Sequence, residues 1–187
     1  MHLLMHYFYR LLAILCLALG FEAANGATLQ QLSLDQMTQS ATAIVRARVT
    51  ASSTSFTGKT IYTHYKLQVS ETWKGSPAAE VMLAGGVAGG YRQSFPGVPQ
   101  LQVGGEYVMF LWTSSSSGIT HLVGLTQGLF NVATQADGTI QVSRPANADT
   151  MLDANLRPVA DQAVSMGLPT MKTRVNTGVA AMHGVSK

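Results

Sequence analysis

The chain has 187 residues, of which only 11% are charged, and its formal net charge is +3 at pH 7. Typical soluble domains contain about 25% charged residues, so Ser, Thr, Gln and Asn are expected to supply most of the polar surface here. The basic residues are widely spaced and form no run interleaved with aromatics, which argues against a nucleic-acid-binding protein.

The first 26 residues have the pattern of a cleaved secretory signal peptide. A positively charged residue precedes an apolar run over residues 11–21, which is shorter than the roughly 20 residues that cross a membrane. Ala24 and Gly26 are small residues suited to the positions before a cleavage site, near the bond to Ala27. We therefore predict a periplasmic or secreted protein, the alternative being an uncleaved membrane anchor.

Cys16 is the only cysteine and lies inside this segment. A mature chain without cysteine has no disulfide, no zinc–thiolate site and no cysteine nucleophile. The remaining residues, about 160, suffice for one ordinary domain. We place its body at residues 27–143 and a C-terminal extension at residues 144–187.

The body opens with a short helix signal followed by two strand signals. Ser33 is placed as an N-cap, and Gln36 three residues later is placed as its capping-box partner. The segment AIVRARVTA then alternates apolar residues with arginine, and KTIYTHYKLQVSETW keeps the same alternation for longer. We predict that these two strands pair across the loop SSTSFTG.

Strand and turn signals continue along the body. AEVMLAG predicts a third strand, GEYVMFLWT a fourth that is apolar on both faces and therefore central, and ITHLVGL follows an SSSSG turn. Asp137 and Gly138 indicate a hairpin between LFNVATQ and TIQVS. Five or six strands, one early helix and no alternating strand–helix units predict an all-β barrel or sandwich.

The composition changes after about Arg144. The segments ADTMLDANL and VADQAVSM are each expected to form a helix, with a break near Pro158. The last fifteen or so residues are expected to be disordered.

Residues 85–99, GGVAGGYRQSFPGVP, hold five of the 18 glycines and two of the six prolines. Their glycines do not spell G-x-G-x-x-G, and a strand signal follows instead of a helix, so a phosphate site is not predicted. The GKT sequence at 58–60 lacks the earlier P-loop glycine and also precedes a strand, which favours a hairpin turn. We interpret residues 85–99 as a long loop at one end of the fold.

No catalytic, cofactor-binding or metal-binding residues are predicted. The chain has no G-x-S-x-G elbow and no H-E-x-x-H spacing, and its carboxylates form no close pair in sequence. Glu106, just before the fourth strand, is interpreted as a carboxylate that caps loop amides. His64 and His121 would meet if their strands pair, which keeps open a hydrolase that uses one of them with a serine.

Four separated segments carry a family resemblance: SATAIVRARV, VSETWKG, GVPQLQVGGEYVMFL and VGLTQGLFNV. In these segments the body resembles a group of exported bacterial proteins, some of whose modules accompany metalloproteases. It is also similar, more distantly, to the netrin-like barrel of the tissue inhibitors of metalloproteinases. The resemblance implies a five- to six-stranded OB-like (netrin-like) barrel with a short N-terminal helix and a partly helical or disordered C-terminal tail.

The zinc-chelating N-terminal cysteine of those inhibitors has no counterpart in a mature chain without cysteine. Inhibition by that mechanism is therefore not expected. Because the body has a regular core pattern and no catalytic constellation, we expect a non-enzymatic barrel that needs no cofactor and binds an extracytoplasmic protein or peptide, such as a protease or an envelope component. The alternatives are a regulator or accessory factor of a secreted metalloprotease and the hydrolase described above. No contact with nucleic acid is expected, and none with a membrane after cleavage.

Tyr91, Arg92 and Phe95 in the long loop are the candidate partner-binding residues, because exposed aromatics and arginine are favoured at interface hot spots. The alternative for Phe95 is that it folds back and covers the end of the barrel.

Overall fold

The computed structural model describes residues 27–147 and 149–184. The predicted signal peptide, residues 1–26, lies outside the described residues. Strands predominate, and two α-helices accompany them. The strands are β1 (Thr28–Gln30), β2 (Ala43–Thr57), β3 (Thr60–Lys74), β4 (Glu80–Ala84), β5 (Gly86–Ala88), β6 (Tyr91–Gln93), β7 (Glu106–Thr113), β8 (Thr120–Leu122), β9 (Leu129–Thr134), β10 (Ile140–Arg144), β11 (Thr150–Leu152), β12 (Pro158–Val159) and β13 (Val164–Gly167). The helices are α1 (Leu34–Ser40), α2 (Leu168–Gly184) and a 3-10 helix (Leu125–Gly128).

One large antiparallel sheet organises the molecule. Its strand order is β13-β10-β9-β7-β2-β3-β4, and β8 pairs with β7. Two small sheets accompany it, β1-β11-β12 and the β5–β6 hairpin. The mostly-β prediction is therefore confirmed, but the described strands do not close into a barrel.

The long β2–β3 hairpin is tighter than the sequence suggested. Residues 52–57, predicted as part of a loop, continue β2, and only Gly58 and Lys59 form the turn. The loop prediction was wrong because residues 50–57 are exposed on both faces and so lack the apolar alternation that marks a half-buried strand. Register shifts near the start of β2 bend this strand, which there pairs with β3 on one side and β7 on the other.

Local signals were reliable at α1 and at the β9–β10 hairpin. Ser33 Oγ accepts a hydrogen bond from Gln36 N at 3.2 Å, and Gln36 Oε1 accepts one from Ser33 N at 2.8 Å, so the predicted capping box is present. Gly138 has the positive φ, 83°, that the predicted turn after Asp137 requires. Both features are confirmed.

Strand β7 is central, as predicted, and its two faces belong to two different cores. Val108 and Phe110 face a core shared with the helices, while Tyr107, Met109 and Leu111 face the other. The first core also contains Met37, Ala41, Ile44, Trp73, Val123, Phe130, Val142, Leu168, Met171 and Val175. The second also contains Ala43, Val45, Ala47, Val49, Tyr65, Val81, Leu83, Leu101 and Leu122.

The C-terminal segment differs from the sequence expectation. Within residues 149–166, which the structure describes, neither expected helix forms, and the short strands β11 and β13 lie there instead. Residues expected to be disordered form most of α2, where Leu168, Met171 and Val175 lie on one face and are buried in the first core. Pro169 is compatible with this helix because it lies in the first turn. No helix in the described part of the chain is long and apolar enough to span a membrane.

Candidate functional site

Residues 85–99 are more ordered than the predicted loop, since they contain the β5–β6 hairpin. This hairpin packs on the end of the β2–β3 hairpin through side-chain hydrogen bonds. Gln93 Oε1 accepts from Ile61 N at 2.7 Å, and Gln93 Nε2 donates to Lys59 O at 2.9 Å. Thr54 Oγ1 also donates to Val87 O. We name this combined end of the molecule, residues 54–62 and 86–95, the tip.

The tip concentrates exposed apolar surface. Of the seven exposed large hydrophobic side chains among the described residues, four lie in the tip: Phe56, Val87, Tyr91 and Phe95. Tyr91 is 70% exposed and Phe56 is 46% exposed. Their rings meet edge to face, with centroids 6.4 Å apart. Exposed apolar side chains that cluster in this way are typical of interaction surfaces.

The structure separates the three residues predicted to contact a partner. Arg92 lies opposite Val87 in the β5–β6 ladder, on the face opposite to that of Tyr91. Arg92, Val87 and Phe95 line a common cleft of about 370 Å³, whereas Tyr91 pairs with Phe56 instead. Phe95 is 42% exposed. The tip therefore offers an aromatic pair on one side and a cationic, apolar cleft on the other.

A hydrogen-bonded chain of Ser55, His64 and Glu80 begins within the tip at Ser55 and crosses β2, β3 and β4. His64 Nδ1 lies 2.8 Å from Glu80 Oε1, and His64 Nε2 lies 2.7 Å from Ser55 Oγ. An ionised carboxylate only accepts hydrogen bonds, so Nδ1 carries a proton, and in the neutral imidazole Nε2 accepts from the serine hydroxyl. This is the order of contacts in a serine nucleophile, base and orienting carboxylate.

His121 has different partners. Its Nδ1 lies 3.0 Å from Met82 O, which bridges β8 to the edge strand β4, and its ring lies 6.4 Å from that of Tyr62. His64 pairs with Met82 in the β3–β4 ladder, so the two histidines approach the same residue of β4. Among the described hydrogen bonds none joins the two rings.

Glu106 does not cap loop amides, so that interpretation was wrong. It accepts hydrogen bonds from Arg46 Nε at 2.6 Å and from Arg48 Nη2 at 2.8 Å. The paired register of β2 and β7 places Arg48 directly opposite Glu106, and charge pairing across the ladder takes precedence over capping.

Glu71 shares Arg46 with Glu106 and so extends this group of ion pairs to α2. It lies 2.6 Å from Lys172 Nζ and 3.0 Å from Arg46 Nη1, and it accepts from Trp73 Nε1 at 3.1 Å. The hydrogen bond from Lys172, together with those from Trp73 and Arg46, lowers the pKa of Glu71 to about 2, although partial burial opposes the shift. The network ties together β2, β3, β7 and α2, and we assign it a structural role.

The described residues contain neither a cluster of metal ligands nor a helix that directly follows the GKT sequence. Within residues 27–147 and 149–184, no group of three or more metal-ligating side chains is placed to hold an ion. Gly58 and Lys59 of the GKT sequence form the turn between β2 and β3, and Thr60 begins β3. A strand therefore follows this sequence, where a phosphate site would need the N-terminus of a helix.

Sequence reasoning missed Ser55, Phe56 and Val87. Ser55 and Phe56 fall in the segment SSTSFTG, whose composition predicts a loop, and Val87 lies in a glycine-rich stretch that carries no strand signal. A two-residue turn at Gly58 and Lys59 would have placed Ser55 opposite Tyr62 and near His64, so the missing signal was the length of the turn.

No model of a known protein family matches the chain, and no curated protein matches it. The resemblance to exported bacterial proteins and to netrin-like barrels therefore stays a prediction.

Proposed function

We propose that this protein is an exported, non-enzymatic β-sheet module that binds an extracytoplasmic protein or peptide through its tip. The observation that carries this proposal is the concentration of four exposed large hydrophobic side chains at one end of the sheet. Aromatic residues and arginine contribute most of the binding energy in many interfaces, and Tyr91 and Arg92 are of this kind.

Order within the tip supports this role. The two bonds of the Gln93 amide and the edge-to-face contact of Phe56 with Tyr91 hold the two hairpins together before any partner arrives. A surface that is already ordered loses less conformational entropy on binding. The tip is therefore suited to recognition without refolding.

Charge indicates the chemistry of the partner. The tip contains Lys59 and Arg92 and no acidic residue. Complementary charge increases association rates and selects among partners. We propose a partner segment that presents an apolar side chain beside acidic ones, with the apolar group in the cleft of Arg92 and Phe95.

We further propose that the large sheet is an OB-like, netrin-like barrel that remains partly open. The bends in β2 support this assignment, as does the approach of β8 to β4 at His121. OB-like folds use one open face and their loops for recognition, which agrees with a binding role for the tip.

Partner capture from the native cell envelope tests the binding proposal. The Tyr91→Ala and Arg92→Ala substitutions alter exposed side chains, so the fold and its melting temperature should change little. We expect each to reduce recovery of a partner by about tenfold, a typical loss at an interface hot spot. Trp112→Ala is the control, because Trp112 is an exposed aromatic side chain, 46% exposed against 70% for Tyr91, and lies outside the tip. Equal recovery with all variants would contradict the proposal.

The Ser55–His64–Glu80 chain supports a second candidate function, that of a serine hydrolase. The order of contacts is right for activation of a serine hydroxyl by a histidine that a carboxylate orients. However, Ser55 is exposed on an extended strand, whereas serine nucleophiles in hydrolases commonly lie on a sharp turn.

A fluorophosphonate probe separates the two functions. An activated Ser55 would displace fluoride from phosphorus and become covalently labelled, and His64→Ala would reduce this labelling by at least 100-fold. Ser53→Ala is the control, since Ser53 lies on the same strand and is exposed. Absence of labelling at Ser55 in the unaltered protein would exclude the hydrolase.

A further inference from the structure

The first described residue is held by the fold. Ala27 N donates a hydrogen bond to Asp149 Oδ1 at 3.0 Å, and Ala27 O accepts one from Thr150 N at 3.1 Å. The following residues form β1, which pairs in parallel with β11. The chain is therefore fixed on both sides of residue 27 by a segment more than a hundred positions away in sequence.

The Asp149 carboxylate has no matching cation among the described residues. Its Oδ2 is buried and has no hydrogen-bond partner within the described residues, and no ion pair of Asp149 occurs there. A buried carboxylate oxygen without a partner is costly. The peptide N–H of Ala27 supplies one donor, but an α-ammonium group at the same atom would supply three donors and a positive charge.

Close packing limits what can occupy this position. A Cβ added at Gly97 would lie 2.7 Å from Asp149 Oδ2 and 3.2 Å from the Ala27 Cβ. Gly97 has a φ of 74°, a conformation that favours glycine. The end of the glycine-rich stretch thus forms one wall of this site, with room for a small side chain at residue 27.

We propose that hydrolysis of the Gly26–Ala27 peptide bond creates an α-ammonium group that forms an ion pair with Asp149. Water is added across the amide by a peptidase that cuts after small residues. The C–N bond breaks: the oxygen of water joins the Gly26 carbonyl carbon to form a carboxylate, and the two protons of water convert the Ala27 nitrogen to an ammonium group. Removal of the signal segment then completes the fold, because the new N-terminus satisfies both oxygens of Asp149.

Two measurements on the exported full-length chain test this inference. The first is the intact mass of the purified protein, which should correspond to a chain that begins at Ala27. A start at any other residue would overturn the proposal, because the α-ammonium group would no longer lie at the atom beside Asp149.

The second measurement is the rate of acylation of the α-amine. A free α-amine has a pKa of about 7.7–8.0 and normally reacts before lysine near neutral pH. In the native protein we expect this rate to be at least about tenfold below that of an unstructured peptide beginning Ala-Thr-Leu, since an ion-paired ammonium group is protonated and screened from the reagent. Asp149→Asn should restore fast acylation.

Asp153→Asn is the matched control for this rate, because Asp153 lies in the turn after β11 and bonds only to the amides of Asn155 and Arg157 among the described side-chain contacts. It should leave the α-amine protected. If the unaltered protein is acylated as fast as the peptide, the ion pair does not exist and the proposal fails. Neither outcome depends on whether the tip binds a partner.

Discussion

Carboxylate side chains connect separate elements in this sparsely charged protein. Glu71 links β3 to α2 through Lys172 and to β2 through Arg46. Asp161 accepts two hydrogen bonds from Arg144 at the end of β10, one of them 3.0 Å long, and a third from Asn147 N. These contacts allow single-residue predictions, because loss of one carboxylate releases several partners together.

Glu71→Gln should lower the free energy of unfolding by about 1 kcal/mol near pH 7, the upper range for a partly exposed ion pair. The folded-state pKa of about 2 lies below the ordinary value of 4.5, so the ionised form stabilises the fold. This contribution is fully present above about pH 4.5 and is lost as the pH falls towards 2. Urea unfolding of both proteins at pH 7 and pH 3 should show a smaller difference at pH 3, and a larger one would contradict the assignment.

Asp161→Asn should lower the free energy of unfolding by about 3 kcal/mol, because the change leaves the Arg144 guanidinium buried without its counter-charge. The Arg144 and Asp161 side chains are only 8% and 2% exposed. Burial opposes ionisation of Asp161, but the hydrogen bonds from Arg144 and Asn147 outweigh it, and the pKa is lowered. Asp137→Asn, in an exposed turn, is the control and should lower the free energy of unfolding, measured by urea unfolding, much less than Asp161→Asn does. An equal loss of unfolding free energy in both variants would show that the buried Arg144–Asp161 pair stabilises the fold no more than an exposed turn residue does.

At the scale of elements, the sequence predicted structures that depend on neighbouring residues. The capping box at Ser33, the long alternation of β3 and the hairpin at Gly138 all follow from contacts within a few positions. The short strands could not be predicted in this way, because β1 is defined by a partner near residue 150 and β13 by one near residue 142. Helix α2 was not predicted because its apolar residues are few and are separated by polar and glycine residues, so their helical periodicity is weak.

The candidate site likewise combines features that follow from neighbouring residues with features that depend on distant strand pairing. Tyr91, Arg92 and Phe95 were identifiable from residue type within a glycine-rich stretch, but their separation onto two faces depends on the β5–β6 register. The Ser55–His64–Glu80 chain depends on the registers of two ladders and on the length of a turn. Tertiary pairing, which a single sequence does not display, decides both.

Helix α2 should contribute substantially to stability through its buried face. Met171→Ala should lower the free energy of unfolding by about 2–4 kcal/mol, because Met171 is fully buried in the first core and its truncation leaves a cavity. Asn176→Ala changes an exposed position of the same helix and should shift stability by less than about 0.5 kcal/mol. Thermal unfolding of both variants checks this, and a small effect of Met171→Ala would show that α2 does not pack on the core.

At the scale of the whole molecule, the sheet has a covered body and an exposed end. Helices α1 and α2 cover one face of the body, and Leu101 lies in the core on the other. The far half of β2, residues 50–57, is exposed along its length and runs into the tip, which begins at residue 54. On the proposed function, the body supplies stability and the tip binds the partner, so substitutions in one should leave the other intact.

Site-specific photo-crosslinking in the native envelope tests that division most directly. A photoreactive phenylalanine analogue is placed at Tyr91 of the β5–β6 hairpin in one protein and at Trp112 of the large sheet in another, and both are exposed aromatic positions. We predict a discrete higher-mass adduct from position 91, reduced at least about tenfold by the additional change Arg92→Ala, and no such adduct from position 112. An adduct from position 112 alone, or none from position 91, would contradict the assignment of the tip as the binding surface.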